Sequence, residues 1–262
     1  MTNDESNPKS EYSNDETDLT RRRGDAEKEQ LTPLRVSAFP RELSNFEFRI
    51  FHAVLLIAAT IAAILWLDQP IAAWALQTEP LAKIRGDIAR ELAMLQQWGQ
   101  FVCSVLVITT VALLDRDGRR RALTIAIACL ITLLLTHLLK DLCGRSRPEV
   151  LFKQNAALAG QWIWGGPAKG FTKGSAWGSF PSAHTTGAFA LSITLAWFYP
   201  RARYLFMTLA TITAAQRILH HAHFVSDVLA GIALAALTTR YTLQAKLADR
   251  LLALFPPKGG CG

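Results

Sequence analysis

Three short clusters hold the residues best suited to chemistry. KDLCGRSRP brings Lys140, Arg145 and Arg147 together before Pro148, SFPSAH sets Ser182, Ala183 and His184 in succession, and QRILHHAHFVSD carries Arg217, His223 and Asp227. Guanidinium and ammonium groups suit an oxyanion, because arginine forks onto two oxygens and lysine acts as a point charge. His223 and Asp227 stand four residues apart, which on a helix puts them on one face within reach of an imidazole to carboxylate hydrogen bond. A carboxylate so held fixes the ring tautomer and makes the other nitrogen a better nucleophile or base. Each cluster also has a plainer reading. Basic residues after an apolar run can be interfacial anchors, Pro181 and Ser182 can open and cap a helix, and Arg217 with Asp227 can be an ion pair tying two helices. Taken jointly, three cations (Lys140, Arg147, Arg217), two histidines and one carboxylate on one face describe a phosphate site, and the start of a helix at Ser182 adds backbone N–H groups and a positive dipole end.

The elements that must position these clusters are read from the apolar pattern. Half of the 262 residues are apolar and mean hydropathy is +0.19, too apolar for an average soluble enzyme and far from a disordered chain. Four cysteines, with Cys103, Cys129 and Cys143 in apolar runs, do not make a disulfide scaffold and leave the redox compartment open. Of 21 acidic residues, 11 fall in Met1 to Glu47, so the net charge of +7 averages two unlike regions. Met1 to about Arg41 is polar and densely charged, and we expect a disordered tail there without a removable signal peptide, since the first long apolar run follows Arg49.

A helix needs about 20 apolar residues to cross a bilayer. Ile50 to Leu67 (charged only through His52), Leu92 to Leu114 and Ala122 to Leu139 (with His137) meet that length, and a fourth span runs from Ser182 to Tyr199 before Pro200. The fifth, Ala202 to His221, and the sixth, His223 to Thr242, place Arg217 and Asp227 inside helices at similar depth, where ionisable groups are costly and functional by default. Arg35, Arg41 and Arg49, then Arg116 and Arg119 to Arg121, then Arg201 and Arg203, then Arg240, Lys246, Arg250 and Lys258 collect on one side, which the positive-inside rule makes cytoplasmic. The expectation is an all-α, polytopic membrane bundle of six transmembrane helices with both termini cytoplasmic: a tail at 1–46, a transmembrane domain at 47–245 and a cytoplasmic C-terminal tail at 246–262. All three clusters then lie at the outer face.

The three clusters together resemble the type-2 phosphatidic acid phosphatase family, whose site is similar to that of vanadium haloperoxidases and bacterial class A acid phosphatases. Lys140 with Arg147-Pro148 matches the first part of the family pattern, Pro181-Ser182-Ala183-His184 the second and Arg217, His223 and Asp227 the third, in order and spacing. Ala183 stands where glycine is usual, keeping the N–H but disfavouring a left-handed backbone, and Gln216 replaces the usual serine. The resemblance implies His223 as nucleophile forming a phosphohistidine, Asp227 hydrogen-bonded to its far nitrogen and His184 as proton donor and acceptor. Lys140, Arg147, Ser182, the Ala183 N–H and Arg217 would hold the phosphate oxygens, with no metal or other cofactor. It implies a lipid-borne phosphate monoester or diphosphate as substrate: phosphatidate, phosphatidylglycerol phosphate, polyprenyl diphosphate or a lipid A phosphate. No nucleic acid or protein partner is implied, and the expected place is a bacterial inner membrane with the site facing outward. A lipid phosphotransferase and a non-catalytic lipid-binding membrane protein remain alternatives. Between the first two clusters, Trp162, Trp164 and Trp177 with Lys153, Lys169 and Lys173 suit either a lid or a plain interfacial loop.

Overall fold

The computed structural model describes residues 54–81, 84, 86–154, 164–172 and 174–254. The expected tail at 1–46 lies outside them, as do Arg49, Ile50 and His52 at the start of the first expected span and Trp162, Lys173, Lys258 and Cys261; the Lys153 side chain is also outside the description. The regular structure is helical, and the β feature recorded is an isolated bridge between Arg145 and Trp164.

Helix α1, Val54–Thr78, does not stop at Leu67, where the first expected span ended before Asp68. An ionisable group ends a span only if it must stay in water, and Asp68 is 1% exposed, paired with Arg145 and Ser226. The window Leu92 to Leu114 is likewise not one helix but two, α2, Asp87–Leu95, and α3, Phe101–Leu114. The reason lies at Gly99, whose φ of +79° suits glycine; a Cβ there would sit 2.2 Å from the backbone nitrogen of Ala188. Lack of charge permits a long helix, but this close backbone approach breaks it. Helix α4, Gly118–Cys143, contains the third expected span and ends at Gly144, which takes the left-handed C-cap conformation.

Two short helices follow, α5 at Pro148–Gln154 and α6 at Gly166–Gly170, then α7, Ala183–Phe198, α8, Arg203–Leu219, α9, Val225–Gln244, and α10, Leu247–Leu254. Helix α10 occupies part of the expected C-terminal tail and is tied to α4 by a two-pronged ion pair from Arg120 to Asp249, at 2.5 and 2.8 Å. Helix α7 is central and packs against α4, α8 and α9. Its buried Ala188, Ala190 and Leu191 meet Ala210 and Ala214 of α8 and Ala235 of α9, Val111 and Ile125, and such small residues let helix axes approach closely. The hydroxyls of Thr132 and Thr238 meet at 2.6 Å, joining α4 to α9. Helices α1 and α4, at 25 and 26 residues, are long and apolar enough to cross a bilayer.

Candidate active site

The end of α4, the turn before α7, the end of α8 and the start of α9 meet at one end of the bundle. Ser182 precedes α7 and donates its N–H to the Asp227 carbonyl at 3.0 Å, while the N–H groups of Ala222 and His223 both donate to the Arg217 carbonyl at 3.2 Å. His184, in the first turn of α7, lies within electrostatic reach of Arg217, His223, Lys140 and Arg147. The residues singled out by the three clusters are therefore neighbours.

Asp227, fully buried in the first turn of α9, accepts from Arg145 Nη1 at 2.5 Å on one oxygen and from Ser179 Oγ at 2.6 Å and the Phe224 N–H at 2.8 Å on the other. The last bond is half of a capping box, an N-terminal acid reaching back to the N-cap backbone. With both oxygens so engaged, the expected direct bond to His223 does not form; Nδ1 of His223 lies 3.7 Å from Asp227. Nδ1 instead lies 2.8 Å from the Ser179 carbonyl. A carbonyl only accepts, so Nδ1 carries the proton and Nε2 of the neutral ring keeps a lone pair. Serine 179 does both jobs, its hydroxyl holding Asp227 and its carbonyl the imidazole. His223 itself sits in the turn before α9 rather than on the helix, which begins at Val225.

Arg147 Nε and Arg217 Nε are buried and have no hydrogen-bond partner among the described residues. Burial pushes the Arg147 guanidinium below its ordinary value, against the opposing pull of Glu149 and Asp227. Arg217 spends one terminal nitrogen on the Gln96 side-chain oxygen, and Lys140 donates to the Gly178 carbonyl. Lys140, Arg147 and Arg217 are three cations; Arg145 is matched by two carboxylates, Asp68 and Asp227, at 2.7 and 2.5 Å. Glu149 and Asp227 offset part of this charge, and the guanidinium and ammonium donors that remain are of the kind that suits phosphate oxygens.

Both departures from the expected pattern find a local account. Ala183 is the first residue of α7, its Ser182 N-cap is extended, and Ala183 is not among the positive-φ residues, so the methyl group meets no backbone penalty. Ser182 holds the N-cap position without a side-chain capping bond; its Oγ accepts from Thr185 Oγ1 at 3.0 Å, and Pro181 lies outside the helix. Gln216 donates to the Leu92 carbonyl, tying α8 to the end of α2 beside the Arg217 to Gln96 contact. Ser179, Ser226, Gln96 and Asp68 belong to the site and were not singled out by sequence. Only an acidic residue closing an apolar run, as Asp68 does, hinted at one of them. Trp164 is more than interfacial, since its ring covers the Arg145 guanidinium at 4.8 Å.

Residues 121–250 match the model of the PAP2 superfamily. The matched segment holds all eight residues expected at the site. Among curated relatives, the chain is 35% identical over 103 residues to the Lipid A 1-phosphatase of Rhizobium johnstonii (strain DSM 114642 / LMG 32736 / 3841), covering 39% of this chain and 38% of that one. It is 34% identical over 100 residues to the Lipid A 1-phosphatase of Rhizobium etli (strain ATCC 51251 / DSM 11541 / JCM 21823 / NBRC 15573 / CFN 42), covering 38% and 39%. The chain thus spans under two-fifths of the length of these relatives. No solved structure matches it significantly.

Proposed function

We propose that the protein is an integral-membrane lipid phosphatase that hydrolyses a phosphate monoester or diphosphate from a lipid headgroup, without a metal, through a phosphohistidine. The observation that carries the reading is the pair of buried Arg147 and Arg217 N–H groups with no acceptor among the described residues, beside an imidazole whose Nε2 is the unprotonated nitrogen. A buried donor without an acceptor is costly, and phosphate oxygens supply acceptors of the right charge. In the proposed reaction His223 Nε2 attacks phosphorus as the bond to the lipid oxygen breaks, and His184 gives that oxygen its proton. Water, deprotonated by His184, then cleaves the N–P bond and releases phosphate. Lys140, Arg147, Arg217, Ser182 and the Ala183 N–H hold the equatorial oxygens, so positioned cations do what a metal ion does elsewhere.

A lipid substrate is supported by an apolar groove of about 420 Å³ that reaches Ala183 and His184 and is walled by Phe101, Val105, Leu130 and Leu133. These side chains, like Trp66, Leu113 and Leu114, are exposed, a surface suited to hydrocarbon. We read six spans, α1, α2 with α3, α4, α7, α8 and α9, with cytoplasmic termini, tails at 1–46 and 246–262, and the site at the outer face of a bacterial inner membrane. The relatives' name puts lipid A phosphate at the head of the substrate panel, beside phosphatidate, phosphatidylglycerol phosphate and polyprenyl diphosphate. The test is phosphate release from that panel by the purified protein in EDTA, with His223→Ala as control. Equal release by mutant and wild type would refute the reading; transfer to an added acceptor lipid would redirect it to a phosphotransferase.

A further inference from the structure

Outside the PAP2-matched segment, α1 carries a buried carboxylate that reaches the site. Its middle turn is a π-helix, Ala63–Leu67, and the Asp68 N–H bonds to the Ala63 carbonyl. Such wide turns within α-helices are frequent at functional sites, because they re-aim the side chain that follows. Here Leu65, Trp66 and Leu67 stay exposed while Asp68 is 1% exposed. One Asp68 oxygen accepts from the Ser226 N–H at 2.9 Å; the other accepts from the Ser226 hydroxyl and from Arg145 Nη2 at 2.7 Å. Arg145 Nη1 in turn reaches Ser226 Oγ at 2.7 Å and Asp227 at 2.5 Å. The guanidinium carbon lies 4.8 Å from the Trp164 ring and 4.3 Å from the Phe224 ring, which confines it.

We propose that Asp68 is a positioning residue for the phosphatase site: acting through Arg145 and Ser226 it fixes Asp227, and Asp227 with Ser179 fixes the His223 imidazole. Charge count argues against a purely mechanical role. A neutral Arg145 to Asp227 pair alone would join the first and third clusters, and burying a third charge is costly. The second carboxylate shares the guanidinium, so Asp227 is not fully neutralised by it. Asp227 then retains a field at His223, whose positive neighbours are Lys140 and Arg147. That field is needed when the ring bears phosphate and positive charge together. Backbone placement adds to this, since the Ser226 N–H held by Asp68 lies in the first turn of α9, one residue before Asp227.

The inference rests on the proposed phosphatase reading, and its test separates the two. Ser226→Ala and Asp68→Asn are made in the full chain, each alone and with Asp227→Asn, and assayed for kcat and KM on whichever panel lipid the wild type turns over, and for vanadate inhibition. Ser226→Ala lowers kcat about threefold and Asp68→Asn about tenfold or more, while KM stays within about twofold and vanadate, a five-coordinate mimic bound at the same imidazole, inhibits correspondingly less. In the Asp227→Asn background neither change lowers the residual rate further. Unchanged kcat, a loss carried by KM, or an equal loss in that background overturns the proposal. Ser226→Ala removes one oxygen and stands in if Asp68→Asn does not fold. A readout independent of turnover is exchange of the His223 Nδ1 proton, followed by ¹⁵N-histidine NMR in micelles. It quickens in Ser226→Ala if the proposal holds, and an unchanged rate refutes it. Absence of phosphate release by the wild type instead sinks the phosphatase reading, while the exchange experiment still judges Asp68.

Discussion

Replacing Arg147 by methionine should make the protein more stable and nearly inactive at once. The side chain keeps much of its apolar stem but loses a buried N–H with no acceptor among the described residues and a charge that burial already disfavours. An unsatisfied buried donor costs about 1–3 kcal/mol; Arg147 is only half-buried, so about 1 kcal/mol is the reasonable gain. In a domain of this size that raises Tm by about 2–4 °C. On the proposed mechanism the same group faces the charge developing on phosphorus, and its loss should cost about 10²–10³ in kcat, or roughly 3–4 kcal/mol. The assay is thermal unfolding in detergent with and without vanadate, alongside phosphate release. Vanadate stabilises the wild type by mass action and stabilises Arg147→Met much less. A variant less stable than wild type without vanadate would show that the guanidinium has a structural partner. Equal vanadate shifts in the two proteins would show that Arg147 does not face the anion. Either result refutes the reasoning.

Other expectations follow from single contacts. Ser179→Ala removes the 2.6 Å bond to Asp227 but keeps the carbonyl that accepts from His223, so stability falls by about 1–3 kcal/mol and kcat falls while KM holds, checked by unfolding and steady-state kinetics. Ala183→Gly relieves no strain, so rate changes by less than about twofold and stability drops by about 0.5–1 kcal/mol, read from the same two assays. Gln216→Ser deletes the tie to Leu92 and destabilises by about 1 kcal/mol, with a lower kcat/KM because Arg217 loses a rigid neighbour. Asp115 accepts from Tyr199 at 2.6 Å, from the Asp117 N–H at 2.9 Å and from Arg121 at 2.7 Å, and chiefly the Tyr199 bond holds its carboxyl below the usual carboxylate range. Its folded value being depressed, its contribution is complete above the unfolded value near pH 4 and is lost as pH falls through the folded one. The stability gap between wild type and Asp115→Asn should therefore be constant at neutral pH and close only in that acid range, measured by unfolding across pH.

Residue type and spacing along the chain were enough to place cations, imidazoles and a carboxylate in three clusters, the set from which a phosphate site is proposed. They also determined that the elements are helices, because an apolar run without breakers has few other ways to satisfy its backbone. They could not determine where a helix bends or which atoms bond across it. Gly99 breaks the Leu92 to Leu114 window only because Ala188 comes within contact of it, and α1 passes Leu67 only because Arg145 and Ser226 wait for Asp68. The His223 and Asp227 spacing allowed a direct bond; tertiary structure instead inserted Ser179, 44 residues from His223, because Arg145 and the Phe224 N–H had already taken places on the carboxylate. Local sequence sets which groups can react. Competition among distant donors for a few buried acceptors sets which of them meet, and that competition exists only once the helices have packed.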